Sequence, residues 1–184
     1  MARDKQRQPD PLRGCIHLYC GEGKGKTTAA MGLSLRALAA GKQVVIVPFL
    51  KGRESGELTM LERLGARVIR EQVSGLFVFQ MSQEQKQALK AAHHQMLADA
   101  QALIARGHCD LLILDEVAAA YELDLIARQK VERLVQEKPF GLELVLTGRN
   151  PAPFMYEWAD YISEVKKVKH PYDRGLTARR GIEY

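Results

Sequence analysis

Nine residues constrain this chain more than any others: Cys20–Thr28, which reads Cys-Gly-Glu-Gly-Lys-Gly-Lys-Thr-Thr. Gly21, Gly23 and Gly25 alternate with polar residues, and Lys26 and Thr27 close the run. An apolar stretch, Cys15-Ile16-His17-Leu18-Tyr19, leads in, and the helix-forming stretch Ala29–Leu38 follows. Strand, glycine-rich turn and helix is the context that a phosphate-binding loop requires. Glycine permits positive φ, so successive N–H groups can turn inward onto a polyphosphate. The helix N-terminus presents the positive end of its dipole to the same anion. In such a loop Lys26 bridges the outer phosphates and the Thr27 hydroxyl ligates Mg²⁺. The strict pattern places glycine five residues before Gly25, where this chain has Cys20. Gly25-Lys26-Thr27-Thr28 still opens a helix directly, so the expectation is a nucleotide-binding loop.

The 184 residues suffice for one domain with a substantial core. The expected division is a flexible N-terminal tail over 1–13, charged and proline-containing, and a single nucleotide-binding domain over 14–184. An apolar fraction of 46% with 27% charged residues is ordinary for a globular chain, so composition alone excludes little. The net charge of +5 suits anionic small molecules as well as nucleic acid. No apolar run approaches the ~20 residues of a membrane span, and the charged N-terminus lacks a signal peptide's apolar stretch. Cys15, Cys20 and Cys109 form neither a disulfide framework nor a metal spacing. A cytoplasmic protein without membrane partners is expected.

Along the chain, Lys26–Ala40 reads as the first helix, stopped by Gly41, and Lys42–Val47 as a buried parallel strand ended by Pro48. The polar loop Lys51–Gly56 then falls at a strand's carboxyl end, where open α/β sheets place their ligands. A helix over Glu57–Leu64 and a strand over Arg67–Glu71 come next. Ser82 with Gln85 is a capping-box pair for a long helix to about Arg106, with Leu89, Ala92, Met96, Ala100 and Leu103 on its inner face. His93 and His94 lie about 100° apart on that helix and read as surface or boundary residues.

Asp110-Leu-Leu-Ile-Leu-Asp115-Glu116 is the second strong signal. An apolar strand ending in acids is the usual carboxylate partner of a phosphate loop, with Asp115 or Glu116 holding Mg²⁺ directly or through water. Ala127–Lys138 reads as an amphipathic helix. The strand Leu142–Leu146 delivers Thr147, Gly148 and Arg149 to the same edge as the acids. Asn150-Pro151 reads as an N-cap followed by proline at the first helical position, and Trp158 as a packing residue. A last strand, Tyr161–Val168, precedes a basic tail. Strands alternating with helices predict an α/β fold with a mostly parallel central sheet and helices on both faces.

With these pieces in order, the chain resembles the phosphate-loop type of ATP:corrinoid adenosyltransferase. The stretches that carry the resemblance are Gly21-Glu-Gly-Lys-Gly-Lys-Thr-Thr-Ala-Ala, Pro48-Phe-Leu-Lys-Gly, Leu114-Asp-Glu, Leu146-Thr-Gly-Arg-Asn, Val168-Lys-His-Pro-Tyr-Asp-Arg-Gly and the closing Gly181-Ile-Glu-Tyr. The resemblance implies a RecA-like P-loop fold, a homodimer, and transfer of the 5′-deoxyadenosyl group of ATP to Co(I) of a corrinoid with release of triphosphate, in adenosylcobalamin formation. It implies Mg²⁺, or Mn²⁺ in its place, and an electron-donating reductase for the cobalt. By this resemblance Gly21, Glu22, Gly23, Lys24, Gly25, Lys26, Thr27, Thr28 and Arg149 contact ATP, Lys26 and Glu116 serve catalysis, and Thr27, Asp115 and Glu116 hold the metal. Arg149 also reads as a surface arginine following a strand.

The family displaces the lower axial ligand of cobalt with apolar and aromatic side chains in the segment matching Ser74–Met81. Relatives carry Phe and Trp there, whereas this chain offers Leu76, Phe77, Val78 and Phe79, with Phe77 and Phe79 the candidates. A short strand facing the core fits the same Phe-Val-Phe pattern. Glu22 stands where asparagine is frequent, bringing a negative charge beside the phosphates. The N-terminal tail is short for covering a neighbouring subunit's site.

Two rival readings share the loop and the acidic strand: a nucleoside or small-molecule kinase, and a RecA-like ATPase that binds nucleic acid. Against the second, basic residues near the loop already have phosphates and corrinoid amides to meet. No Asn-Lys-x-Asp guanine motif is present.

Overall fold

The computed structural model describes residues 10–51, 55–70 and 78–183. Six strands form one sheet: β1 (Ile16–Cys20), β2 (Val44–Pro48), β3 (Arg67–Val68), β4 (Leu111–Asp115), β5 (Glu143–Thr147) and β6 (Tyr161–Glu164). Their order is β3-β2-β4-β5-β1-β6, and every pairing is parallel. The helices are α1 (Lys26–Ala39), α2 (Gly56–Arg63), α3 (Gln83–Ala105), α4 (Val117–Glu122), α5 (Arg128–Glu137) and α6 (Pro153–Trp158).

Residue parity along the strands explains the layering. Val45 and Val47, Leu112 and Leu114, Leu144 and Leu146, with Ile16 and Leu18, face one side and pack with Met96, Leu97, Ala100 and Leu103 of α3 and Val131 and Val135 of α5. The alternate residues Val44, Ile46, Leu111, Ile113 and Val145 face the other side and meet Ala30, Met31 and Ala37 of α1 and Leu58 and Leu61 of α2. Side chains of a strand alternate between faces, so a strand covered on both sides reads as an unbroken apolar run. All five residues of β2 and of β4 are buried. The expected α/β architecture, with a parallel sheet between two helical layers, is what the chain adopts.

Several local expectations need correction. Asn150 does not cap α6: its side-chain amide donates to the Glu122 carboxylate, and the helix starts at Pro153 after Ala152. β6 stops at Glu164, short of Val168. The reason is that the next residue serves the glycine-rich loop: the Val165 amide donates to the Cys20 carbonyl, and its own carbonyl accepts from the Gly23 amide. Phe79 lies in a 3₁₀ turn over Val78–Gln80 and is 80% exposed, so it is not part of a strand facing the core. Phe77 and Glu71 lie outside the described residues. Ser82 does form the capping box, accepting from the Gln85 amide while its own amide donates to the Gln85 side chain.

His93 is the largest departure. It is 1% exposed, on the inward stripe of α3 between Leu89 and Met96, with Ala92 only partly buried. A buried imidazole needs partners for both nitrogens. Nδ1 lies 2.9 Å from the Leu125 carbonyl oxygen, and Nε2 faces the Leu50 amide at 3.5 Å. The ring meets Phe49 edge-on. Of the N-terminal segment, Arg13 is tied to Asp160 at 2.8 Å.

Candidate functional site

The loop between β1 and α1 is fixed by close backbone packing. A Cβ on Gly21 would come within 2.6 Å of the Val165 carbonyl oxygen, and one on Gly23 within 2.7 Å. Gly25, the residue before α1, has φ +125°, which glycine alone adopts without strain. No side chain caps α1. The first-turn amides of Lys26, Thr27 and Thr28 have no intrahelical acceptors and so form an anion-receptive end. Lys26 is buried, its ammonium donating to the carbonyls of Gly21 at 2.6 Å and Gly23 at 2.9 Å. Its side chain thus folds over the loop it follows. Thr28 is exposed on the first turn.

The carboxyl edge of the sheet delivers the rest. Asp115 ends β4 and is fully buried. It accepts from the Thr27 hydroxyl at 3.0 Å and from the Thr147 hydroxyl at 2.7 Å, and Nζ of Lys51 lies 2.7 Å from its other oxygen. Thr147 in turn accepts from the Glu116 amide at 2.8 Å. That bond holds Glu116 in the left-handed region at φ 58°, a conformation costing roughly 1 kcal/mol or more outside glycine. Burial pushes the Glu116 carboxyl above its ordinary pKa and the Asp115 charge adds to this, while Lys26, Lys51 and Arg149 pull the other way. Gly148 follows with φ +151°, and a Cβ there would meet the Ala118 side chain at 2.4 Å, so strand β5 and helix α4 close together only through glycine.

Lys26, Thr27, Asp115 and Glu116 therefore converge. Of the other expected residues, Gly21, Glu22 and Arg149 line the cavity beside the loop. Arg149 pairs with Glu22 at 3.5 Å, both exposed, so the negative charge of Glu22 is answered outside the loop. Lys24 is spent on the C-terminal segment, donating to the Ile182 carbonyl at 3.1 Å with Glu183 at 3.6 Å. A cavity of about 510 Å³ opens beside the loop, lined among others by Cys20, Glu22, Arg149, Tyr156 and Lys166. Two residues of the network had no assigned role in the sequence reading, Lys51 and Thr147. Their positions at the carboxyl ends of β2 and β5 were the available signal.

The donor set fits a hard divalent cation. Thr27 Oγ1 and the carboxylates of Asp115 and Glu116 offer the oxygen donors that Mg²⁺ prefers, and would leave positions on it for phosphates and water. Among the described residues no group of three His, Cys, Asp or Glu side chains forms a metal cage. No helix among the described residues is long and apolar enough to cross a membrane.

Comparison with known proteins agrees with this geometry. Residues 12–184 match the family model described as ATP:corrinoid adenosyltransferase BtuR/CobO/CobP. The chain is 34% identical to the corrinoid adenosyltransferase of Escherichia coli K12 over 184 residues, all of this chain and 91% of that protein. It is 33% identical to the corrinoid adenosyltransferase CobA of Salmonella typhimurium over the same span, again 91% of that protein. The corrinoid adenosyltransferase of Pseudomonas aeruginosa is 32% identical over 182 residues, covering 98% of this chain and 89% of the relative. With its phosphate loop, acidic strand and nearly full length matched, the chain belongs to the BtuR/CobO/CobP family of ATP:corrinoid adenosyltransferases.

Proposed function

We propose that this protein transfers the 5′-deoxyadenosyl group of ATP to Co(I) of a corrinoid and releases triphosphate, forming adenosylcobalamin. The observation that carries this reading is the convergence of Lys26, Thr27 and Asp115 at the loop of a chain that matches the family from residue 12 to its end.

The chemistry divides between substrate and protein. The cobalt electron pair attacks C5′ of the ribose, and the C5′–O bond breaks. The bonding electrons leave with the triphosphate, and cobalt passes formally from Co(I) to Co(III). The nucleophile is already strong, so the protein's contribution is placement of C5′ in line with cobalt and stabilisation of the leaving charge. The loop amides and the N-terminus of α1 bind the triphosphate, and Lys26 exchanges its two carbonyl acceptors for phosphate oxygens. Thr27, Asp115 and Glu116 would hold Mg²⁺, which when bound would supply positive charge against the leaving triphosphate. Glu116, held in its left-handed turn by Thr147, presents its carboxylate at this edge. Arg149, released from Glu22, is the second cation for phosphate or corrinoid amide. Phe79, exposed ahead of α3, is the candidate for occupying the lower face of cobalt, where loss of the axial ligand eases reduction.

The same reading has the enzyme working as a homodimer over a single nucleotide-binding domain, with Co(II) reduced by a separate electron donor. A phosphoryl-transfer enzyme would use the same loop but yield ADP. The test is to combine protein, ATP, Mg²⁺ and a reduced corrinoid and follow cobalt–carbon bond formation by absorbance. Formation dependent on the intact loop is expected.

A further inference from the structure

Asp115 is fully buried, and a buried carboxylate requires both hydrogen bonds and an opposite charge. Thr27 and Thr147 provide the hydrogen bonds. The charge does not come from Lys26, whose ammonium is bonded to the carbonyls of Gly21 and Gly23. Among the described residues the one ion pair made by Asp115 is with Lys51, at 2.7 Å. The backbone explains how Lys51 arrives there. Pro48 lies in register with Asp115 across β2 and β4, and the Phe49 amide donates to the Asp115 carbonyl. Leu50 then takes φ 60°, which turns the chain and carries Lys51 back towards the strand edge. Among the described residues its ammonium also lies 4.0 Å from Glu57 and close enough to Glu116 to favour that residue's charged form.

We propose that Lys51 is an exchangeable counter-ion of the metal site: it neutralises Asp115 in the nucleotide-free protein, keeps a divalent cation away from Thr27 and Asp115, and moves onto a phosphate oxygen when the triphosphate arrives. This deepens the reading of the site as one for ATP and a divalent metal. An ammonium and a divalent cation at one buried carboxylate repel each other strongly at low dielectric. The triphosphate removes the conflict because it offers both cations anionic oxygens. Lysine suits the exchange, since a compact charge on a flexible four-carbon stem changes partners without moving the backbone. The metal then enters with the nucleotide rather than ahead of it, and Asp115 is never left uncompensated.

The test is an electron paramagnetic resonance titration of nucleotide-free protein with Mn²⁺, in which no corrinoid is present. Lys51→Met and Lys51→Gln are expected to bind Mn²⁺ at least about tenfold more tightly than the unaltered protein, whereas Lys51→Arg, which keeps the charge, stays within about threefold. In parallel, ATP binding measured in chelator is expected to weaken about fivefold or more in the Met and Gln variants and to be largely retained in the Arg variant. Mn²⁺ binding no tighter in the uncharged variants, with the fold confirmed by circular dichroism, overturns the proposal. So does failure of both uncharged variants to fold, because an exchangeable counter-ion is not required for folding. Neither arm depends on cobalt chemistry, so adenosyl transfer and this exchange stand or fall separately.

Discussion

Nδ1 of His93 lies 2.9 Å from the carbonyl oxygen of Leu125. A carbonyl only accepts, so Nδ1 carries the proton, and Nε2 is left bare to face the Leu50 amide. The neutral tautomer thus ties α3 to the turn that delivers Lys51. Burial holds the His93 pKa below its ordinary value and neighbouring His94 adds to this, while the bond to Leu125 opposes them. The unfolded chain therefore takes up the proton first, and folding stability falls as pH drops below about 6.5, being fully present above it. Denaturant unfolding at pH 5 and pH 7.5 measures this. His93→Leu is expected to flatten the pH dependence relative to the unaltered protein, and identical slopes in the two would contradict the assignment.

Gly23→Ala is expected to weaken ATP binding by at least about tenfold. Its new methyl would meet the carbonyl groups of Val165 and Lys166 at 2.7–2.8 Å, and backbone cannot yield as a flexible side chain does. Gly32→Ala, on the exposed face of α1 with nothing within 4 Å, is the matched control and should stabilise by about 0.5–1 kcal/mol. Calorimetric ATP titration and thermal unfolding separate the two effects.

Lys26→Ala should lower adenosyl transfer by about 10²–10³-fold, the usual effect of removing one preorganised donor to developing charge. The circular dichroism spectrum should be retained, since the strands and helices do not depend on this side chain. Loss of the two carbonyl contacts is expected to cost roughly 1–3 kcal/mol of local stability, visible as faster amide exchange in the loop. Transfer at an unaltered rate would remove Lys26 from the mechanism.

Phe79 is 80% exposed, so Phe79→Ala should change stability by no more than about 0.5 kcal/mol. Transfer should nevertheless slow more when Co(II) must be reduced on the enzyme than when Co(I) is supplied. Equal slowing in the two assays would speak against a role at the lower face of cobalt.

What was legible in the sequence was what depends on short-range pattern. The glycine-rich loop, the apolar strands Val44–Pro48 and Leu111–Asp115 and the Ser82 capping box all declare themselves within a few residues. What was misread depends on partners far along the chain. His93 is buried because Leu50 and Leu125, 43 and 32 residues away, receive its two nitrogens. Asn150 looks like a helix cap until Glu122 claims its amide. The last strand ends early because Val165 serves the phosphate loop, a contact that local alternation does not encode. In the site the same division holds: the motifs point to Lys26, Thr27 and Asp115 and the strand ends to the edge that carries Lys51 and Thr147, whereas the bonds of those two to Asp115 emerge only once β2, β4 and β5 bring their ends together.

The central claim is that the loop grips ATP so that its ribose carbon, not its terminal phosphorus, reacts. The most direct measurement follows inorganic tripolyphosphate and the cobalt–carbon bond in one reaction mixture of protein, ATP, Mg²⁺ and reduced corrinoid. Equal amounts of the two products, with no ADP, are the expected result. Accumulation of ADP, or turnover of ATP without tripolyphosphate, would contradict it.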